Sequence, residues 1–145
     1  MSKFVTKRMA GHYETITKVV KNSEVIAEGD PVSLEDDTAI VTTAGLAIFG
    51  VAEEAVTGDG TLAIQIQCGL DIEYEVDNDN DTNDFAAAGY GGGKYFDTIG
   101  TTGAVLVDTS SASATSGQLI CVDEAPDADD ASQGRFKINK AESQF

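Results

Sequence analysis

Leu62-Ala63-Ile64-Gln65-Ile66-Gln67-Cys68-Gly69-Leu70-Asp71-Ile72-Glu73-Tyr74-Glu75-Val76 alternates without a break. Every even position is apolar, and the odd positions hold Ala, Gln, Gly, Asp or Glu. A period of two over 15 residues belongs to a strand with one buried face. Extended at roughly 3.3 Å per residue it would span about 50 Å, too long for one flat strand of a small domain. Gly69 stands at its middle, where a bulge or bend turns one strand into two. The chain is therefore expected to round the corner of a barrel or sandwich there. Asp71, Glu73 and Glu75 are expected on the outward face.

Shorter strand candidates flank this segment: Ile16–Val20, Val25–Ile26, Pro31–Leu34, Ala39–Thr42 and Ala47–Ala52 before it. After it come Lys94–Phe96, Ala104–Val107, Gln118–Val122 and Arg135–Ile138. Gly29-Asp30-Pro31 fits a tight turn into a strand whose first residue need not donate. Thr57-Gly58-Asp59-Gly60 reads as a hairpin connection into the long strand. No window shows a long amphipathic helix; at most a helical turn is expected around Asn83–Ala88. Asp77–Asp84, Gly89–Gly93, Thr109–Gly117 and the acidic Asp123–Gly134 read as long loops. The expectation is an all-β domain, a small β-barrel or β-sandwich over residues 15–145, preceded by an N-terminal arm of residues 1–14. A length of 145 residues suits one such domain.

Charge is partitioned along the chain. Residues 22–134 hold 23 of the 25 acidic residues and one Lys, a net of −22. Residues 1–21 carry +4 and residues 135–145 carry +2. Such segregation concerns partners more than fold. An acidic body repels phosphate backbones and anionic membranes, so neither nucleic acid nor membrane is an expected partner. No apolar stretch reaches the roughly 20 residues of a membrane helix, and no secretory h-region is visible, so synthesis in a cytoplasm is expected. Cys68 and Cys121 read as buried free thiols in apolar strands.

Chemistry-bearing patterns are weak. Asp77-Asn78-Asp79-Asn80-Asp81 begins like a calcium loop, which makes Asp77, Asp79 and Asp81 weak metal candidates. The pattern then fails, with Thr82 where the sharp turn needs Gly and Ala88 where a bidentate Glu belongs. Gly89-Tyr90-Gly91-Gly92-Gly93-Lys94 lacks the first Gly and the hydroxyl of a phosphate loop. His12 is the only histidine, and no Ser or Cys lies in a nucleophile context around it. The chain is expected to be no enzyme and to need no cofactor. As a binding module it would present Tyr90, Tyr95 and Phe96 as stacking platforms for carbohydrate.

Residues 18–56 carry x-Ile-x-x-Gly-Asp-Pro-Val at Val25–Val32 and Ile-x-Gly-Val-Ala at Ile48–Ala52, ahead of the Thr57–Leu62 connection. In this the chain resembles the capsid decoration (cement) proteins and related small head proteins of tailed phages, built on a small β-barrel or β-tulip. The resemblance covers about a third of the chain. It implies a structural virion protein that sits as a homotrimer on three-fold axes of a capsid and binds the major capsid protein. It also implies an N-terminal segment lying along the capsid. Lys3, Phe4, Lys7 and Arg8 of a free arm over residues 2–12 are the expected contacts, adding a strand to a neighbour and matching an acidic shell.

Overall fold

The computed structural model describes residues 3–79, 94–124 and 133–145. Strands there run, in chain order, β1 (Val5–Arg8), β2 (Tyr13–Val19), β3 (Val25–Ile26), β4 (Pro31–Glu35), β5 (Thr38–Val41), β6 (Gly50–Ala52) and β7 (Val56–Thr57). They continue with β8 (Ala63–Gly69), β9 (Glu73–Asp77), β10 (Tyr95–Ile99), β11 (Leu106–Ser113), β12 (Leu119–Glu124) and β13 (Gln133–Ile138). The one helical element among the described residues is a 3-10 turn at Lys140–Glu142. The expected helical turn at Asn83–Ala88 lies outside the described residues.

The long alternating segment behaves as its pattern requires. It breaks after Gly69, so that β8 lies in a five-stranded antiparallel sheet and β9 in a six-stranded one. The apolar set survives the corner, and Ile64, Ile66, Cys68, Ile72, Tyr74 and Val76 are all buried. Glu73, expected on the outward face, is buried too, because β1 covers it and Arg8 pairs with it. A Cβ on Gly69 would come within 2.9 Å of both Ile72 Cδ1 and Tyr13 Cβ, so only glycine lets the strand pass this close to its neighbours. Leu62 departs from the expectation. It lies outside β8 and is 50% exposed, because the sheet that would cover it ends at Ala63.

The N-terminal segment follows the same path in reverse. β1 pairs antiparallel with β9, from Val5 opposite Glu75 to Arg8 opposite Glu73. β2 pairs antiparallel with β8, from Tyr13 opposite Gly69 to Val19 opposite Ala63. Residues 5–19 and 63–77 thus form one two-stranded ribbon folded across both sheets. At the fold Gly11 takes φ +66°, tucked against the Asp71 carboxylate. The expected boundary between an arm and a domain therefore does not follow the hydrogen bonding, since β1 is an edge strand of the larger sheet.

The sheet orders are β1-β9-β13-β12-β10-β11 and β2-β8-β6-β4-β5, with β3 and β7 as a separate pair. One apolar core draws on both sheets, with Val32, Val51, Ile64 and Ile66 from the smaller and Tyr74, Phe96, Leu119 and Phe136 from the larger. Each sheet curls until its far edge touches it again through one parallel bridge, Val20 with Ala39 and Asn78 with Val107. One bridge does not close a barrel, so the architecture is a small β-sandwich. Other differences from the sequence reading are local. β11 continues to Ser113, through much of the expected loop from Thr109, because Asp97 N–H and the Asp108 carboxylate engage its serines. The Thr57–Gly60 connection is no simple hairpin, since β7 leaves to pair with β3 before Asp59 caps the turn into β8.

Two buried polar groups join parts distant in sequence. The Gln118 amide accepts from Thr98 N–H at 2.7 Å and from Thr98 Oγ1 at 2.9 Å, and it donates to the Thr43 and Leu46 carbonyls. The Asp30 carboxylate accepts from Ala27 N–H at 2.8 Å and from Gly103 N–H at 3.0 Å. Burial raises the Asp30 pKa, and these two backbone bonds oppose the shift.

Candidate interaction surface

Lys3, Phe4, Lys7 and Arg8 come together on and beside β1, but not as a free arm. Phe4 is 4% exposed, with its ring 5.9 Å from that of Tyr74. Its N–H donates to Gly29 O at 2.9 Å. Lys3 Nζ lies 3.7 Å from Glu28, Lys7 Nζ 3.7 Å from Glu75, and Arg8 3.6 Å from Glu73. The same rule holds further along. Lys18 meets Asp37 at 2.6 Å, Lys21 meets Glu35 at 2.6 Å, and Lys137 of β13 meets Asp71 at 3.7 Å. The N-terminal cations are therefore paired within the fold, while the body keeps its acidic excess. The acidic β9 lies between the basic β1 and the basic β13.

This corrects the expectation that the N-terminal cations are kept for an outside acidic surface. Segregation along the chain becomes alternation across the sheet, where opposite charges on neighbouring strands favour one register. Pairs with both partners exposed contribute little each, typically below about 1 kcal/mol, whereas Glu73 and Glu75 are largely covered and only their cations reach solvent. Their value lies in excluding slipped registers that would set Glu73 and Glu75 against the wrong neighbours.

What remains open is the outer rim of the ribbon. All four residues of β1 are exposed, and so are Tyr13, Glu14, Thr15, Thr17 and Val19 of β2. Val5, Met9, Tyr13 and Val19 are large apolar side chains left exposed along it, with Tyr13 at 48%. Beside β1 lies a groove of about 250 Å³ whose walls include Lys3, Phe4, Glu28, Val51 and Gln67. Gln67 Oε1 accepts from Thr6 Oγ1 at 2.8 Å and from the Tyr74 hydroxyl at 3.2 Å. Burial raises the Tyr74 pKa, so the phenol stays protonated and serves as a donor.

The other candidates are accounted for structurally. Asp77 accepts from the Gln133 amide and Asp79 from Thr109 Oγ1 at 3.0 Å, so both tie β9 to its surroundings. Asp81 lies outside the described residues, as does Tyr90. Among the described residues no three His, Cys, Asp or Glu side chains gather to hold a metal. Phe96 is no stacking platform, being fully buried with its ring edge-on to Phe136 at 5.7 Å. His12 stacks on Phe145 at 6.3 Å and lies 3.8 Å from Glu14. Cys68 and Cys121 are both buried, as the apolar strand pattern implies. Burial pushes the Cys68 thiol up to about 12, which leaves it unreactive near neutrality.

No protein-family model matches the chain, and no curated protein matches it either. Sequence reasoning missed β1. Its signal was the adjacent cations Lys7 and Arg8, which reach Glu75 and Glu73 only once both segments are set antiparallel with an irregularity between Thr6 and Arg8.

Proposed function

We propose that the chain is a structural virion protein that binds the outer surface of a tailed-phage capsid and stabilises it. In this reading it acts as a homotrimer at three-fold positions, its main partner is the major capsid protein, and it carries no catalytic role. The observation that carries the proposal is the uncovered rim of the N-terminal ribbon. Free strand edges with exposed apolar side chains are places where another chain adds a strand, and natural β proteins ordinarily cover or blunt them. The all-β fold is compatible with the resemblance to decoration proteins, although the sheets form a sandwich and not the closed barrel that the resemblance implies. An acidic body also suits a shell surface that must not capture nucleic acid.

The internal salt bridges refine the docking contact. Backbone pairing and the apolar side chains Val5 and Met9 supply it, more than free cations do. The test is co-sedimentation with expanded capsids assembled from the major capsid protein of the same genome. Saturable binding that raises the capsids' resistance to heat is the expected result, weakened by Val5→Glu. Absence of co-sedimentation at tens of micromolar protein would refute the proposal. Deleting residues 1–12 is a poor test, because it removes the Phe4 ring from the core.

A further inference from the structure

The rim of β2 has a property that the rim of β1 lacks. Val20 N–H donates to Leu62 O at 2.9 Å, on the side facing β8. Backbone groups alternate sides along an antiparallel strand, so Glu14, Ile16 and Lys18 also bond toward β8. Tyr13, Thr15 and Thr17 consequently aim their N–H and C=O groups away from the sheet. β2 is terminal in its sheet, and β5 returns to it only at Val20. The backbone from Tyr13 to Thr17 is thus an open ladder.

The sequence of this ladder is complementary to itself. Laid antiparallel on a copy centred at Ile16, Glu14 faces Lys18, Thr15 faces Thr17, Tyr13 faces Val19, and Ile16 faces Ile16. Opposite charges, Thr–Thr and aromatic–β-branched pairs are the favourable cross-strand combinations. Lys18 is then shared between Asp37 of its own copy, at 2.6 Å, and Glu14 of the other. Moving the centre to Thr15 or Thr17 sets Glu14 or Lys18 against Ile16 and loses both ion pairs. β1 offers only the cations Lys7 and Arg8, so self-pairing there crowds like charges.

We propose that β2 pairs with β2 of a second copy of this chain about a two-fold axis through Ile16, joining two five-stranded sheets into one. The contact is isologous, since each half supplies the same surface. It stands apart from the capsid reading, whose docking contact is on β1.

Sedimentation analysis of the whole chain at tens of micromolar tests it. The mass of two copies is expected, or of six where a three-fold contact also forms. Glu14→Lys and Lys18→Glu, each alone, set like charges across the axis twice and are expected to weaken association by about tenfold. Mixing the two variants restores every opposite pair and is expected to restore association, which also shows that both are folded. Register is read by oxidation. Thr15→Cys mixed with Thr17→Cys is expected to form a disulfide between the two variants in preference to linkage within either one. Three results would each overturn the proposal: a monomer at these concentrations, a trimer whose mass Glu14→Lys leaves unchanged, or a charge-swapped mixture that stays dissociated. Capsid binding that persists while the mixture fails would sink this contact and leave the functional reading standing.

Discussion

The two lengths of the N-terminal ribbon are held by different forces. Where β2 lies on β8, Ile16 packs against the core and Lys18 passes over the Phe49 ring at 5.9 Å, so apolar alternation sets the pairing. Where β1 lies on β9, none of its four residues is buried. Its place is set by one inserted ring, Phe4, and by the pairs Lys7–Glu75 and Arg8–Glu73. A strand with a core behind it is placed by pattern, whereas a strand without one needs an anchor and a charge code.

Breaking the anchor should separate the two lengths most clearly. Phe4→Ala removes a buried ring and is expected to cost about 3 kcal/mol in urea unfolding, at the lower end for core Phe truncations. Hydrogen exchange should then show β1 amides losing protection while β8 amides keep theirs. Equal loss along both lengths would mean that the ribbon is a single unit and the contrast is false.

Asp30 comes next, because the turn that holds it also supplies the Gly29 carbonyl bound by Phe4 N–H. Asp30→Ala leaves the Ala27 and Gly103 N–H groups without their acceptor and is expected to cost about 2 kcal/mol. Its pH dependence has a definite sign. The folded-state pKa lies above the ordinary value of 3.8, so the folded chain holds this proton more tightly than the unfolded chain. The Asp30 contribution therefore favours folding increasingly as pH falls through the raised value toward 3.8, and opposes it above that value. Melting temperatures of the wild type and Asp30→Asn should shift in favour of the wild type as pH is lowered from 7 toward 4. A difference that shrinks over that range would contradict the assignment.

The charge code should give a smaller effect. Glu73→Gln removes the partner of Arg8; the Arg8 side chain is 72% exposed but that of Glu73 only 10%, so the expected cost is about 1 kcal/mol, the upper end for an exposed pair. The cost should fade in 1 M salt, which is the sharpening measurement. Smallest of all is the response to a thiol reagent. Cys68, under β2, should resist alkylation at pH 8 in the native state and react once urea unfolds the chain. Fast native labelling would show that the β2–β8 half opens as readily as the β1–β9 half.

Much of the fold was legible because the core speaks in a period of two. The corner at Gly69, the break into two strands and the inward face from Ile64 to Val76 all follow from alternation and one glycine. The bridge from Asn78 to Val107 that curls the larger sheet back on itself left no local trace. Nor did the path of β1, whose Val5-Thr6-Lys7-Arg8 has no apolar alternation and reads as a polar arm until Glu75 and Glu73 are placed beside it. The misreading of the N-terminal cations has the same origin, since charge pairing between segments nearly 70 residues apart is invisible to a pass along the chain. Phe96 misled in the opposite way, because an aromatic residue beside a glycine-rich stretch looks like a binding platform while Phe136 is what it meets.

The ribbon also imposes an order in time. Val5 finds its place only against Glu75, and Tyr13 only against Gly69, so neither can settle before the second length has been made. At ribosomal speeds of roughly 5–20 residues per second the first length waits on the order of several seconds. Pairings this distant in sequence are also slow to close once both lengths are present. During that interval β2 lacks β8 and is uncovered on both edges. A segment complementary to itself would then meet its twin before it meets β8, and assembly would compete with folding from the moment of synthesis.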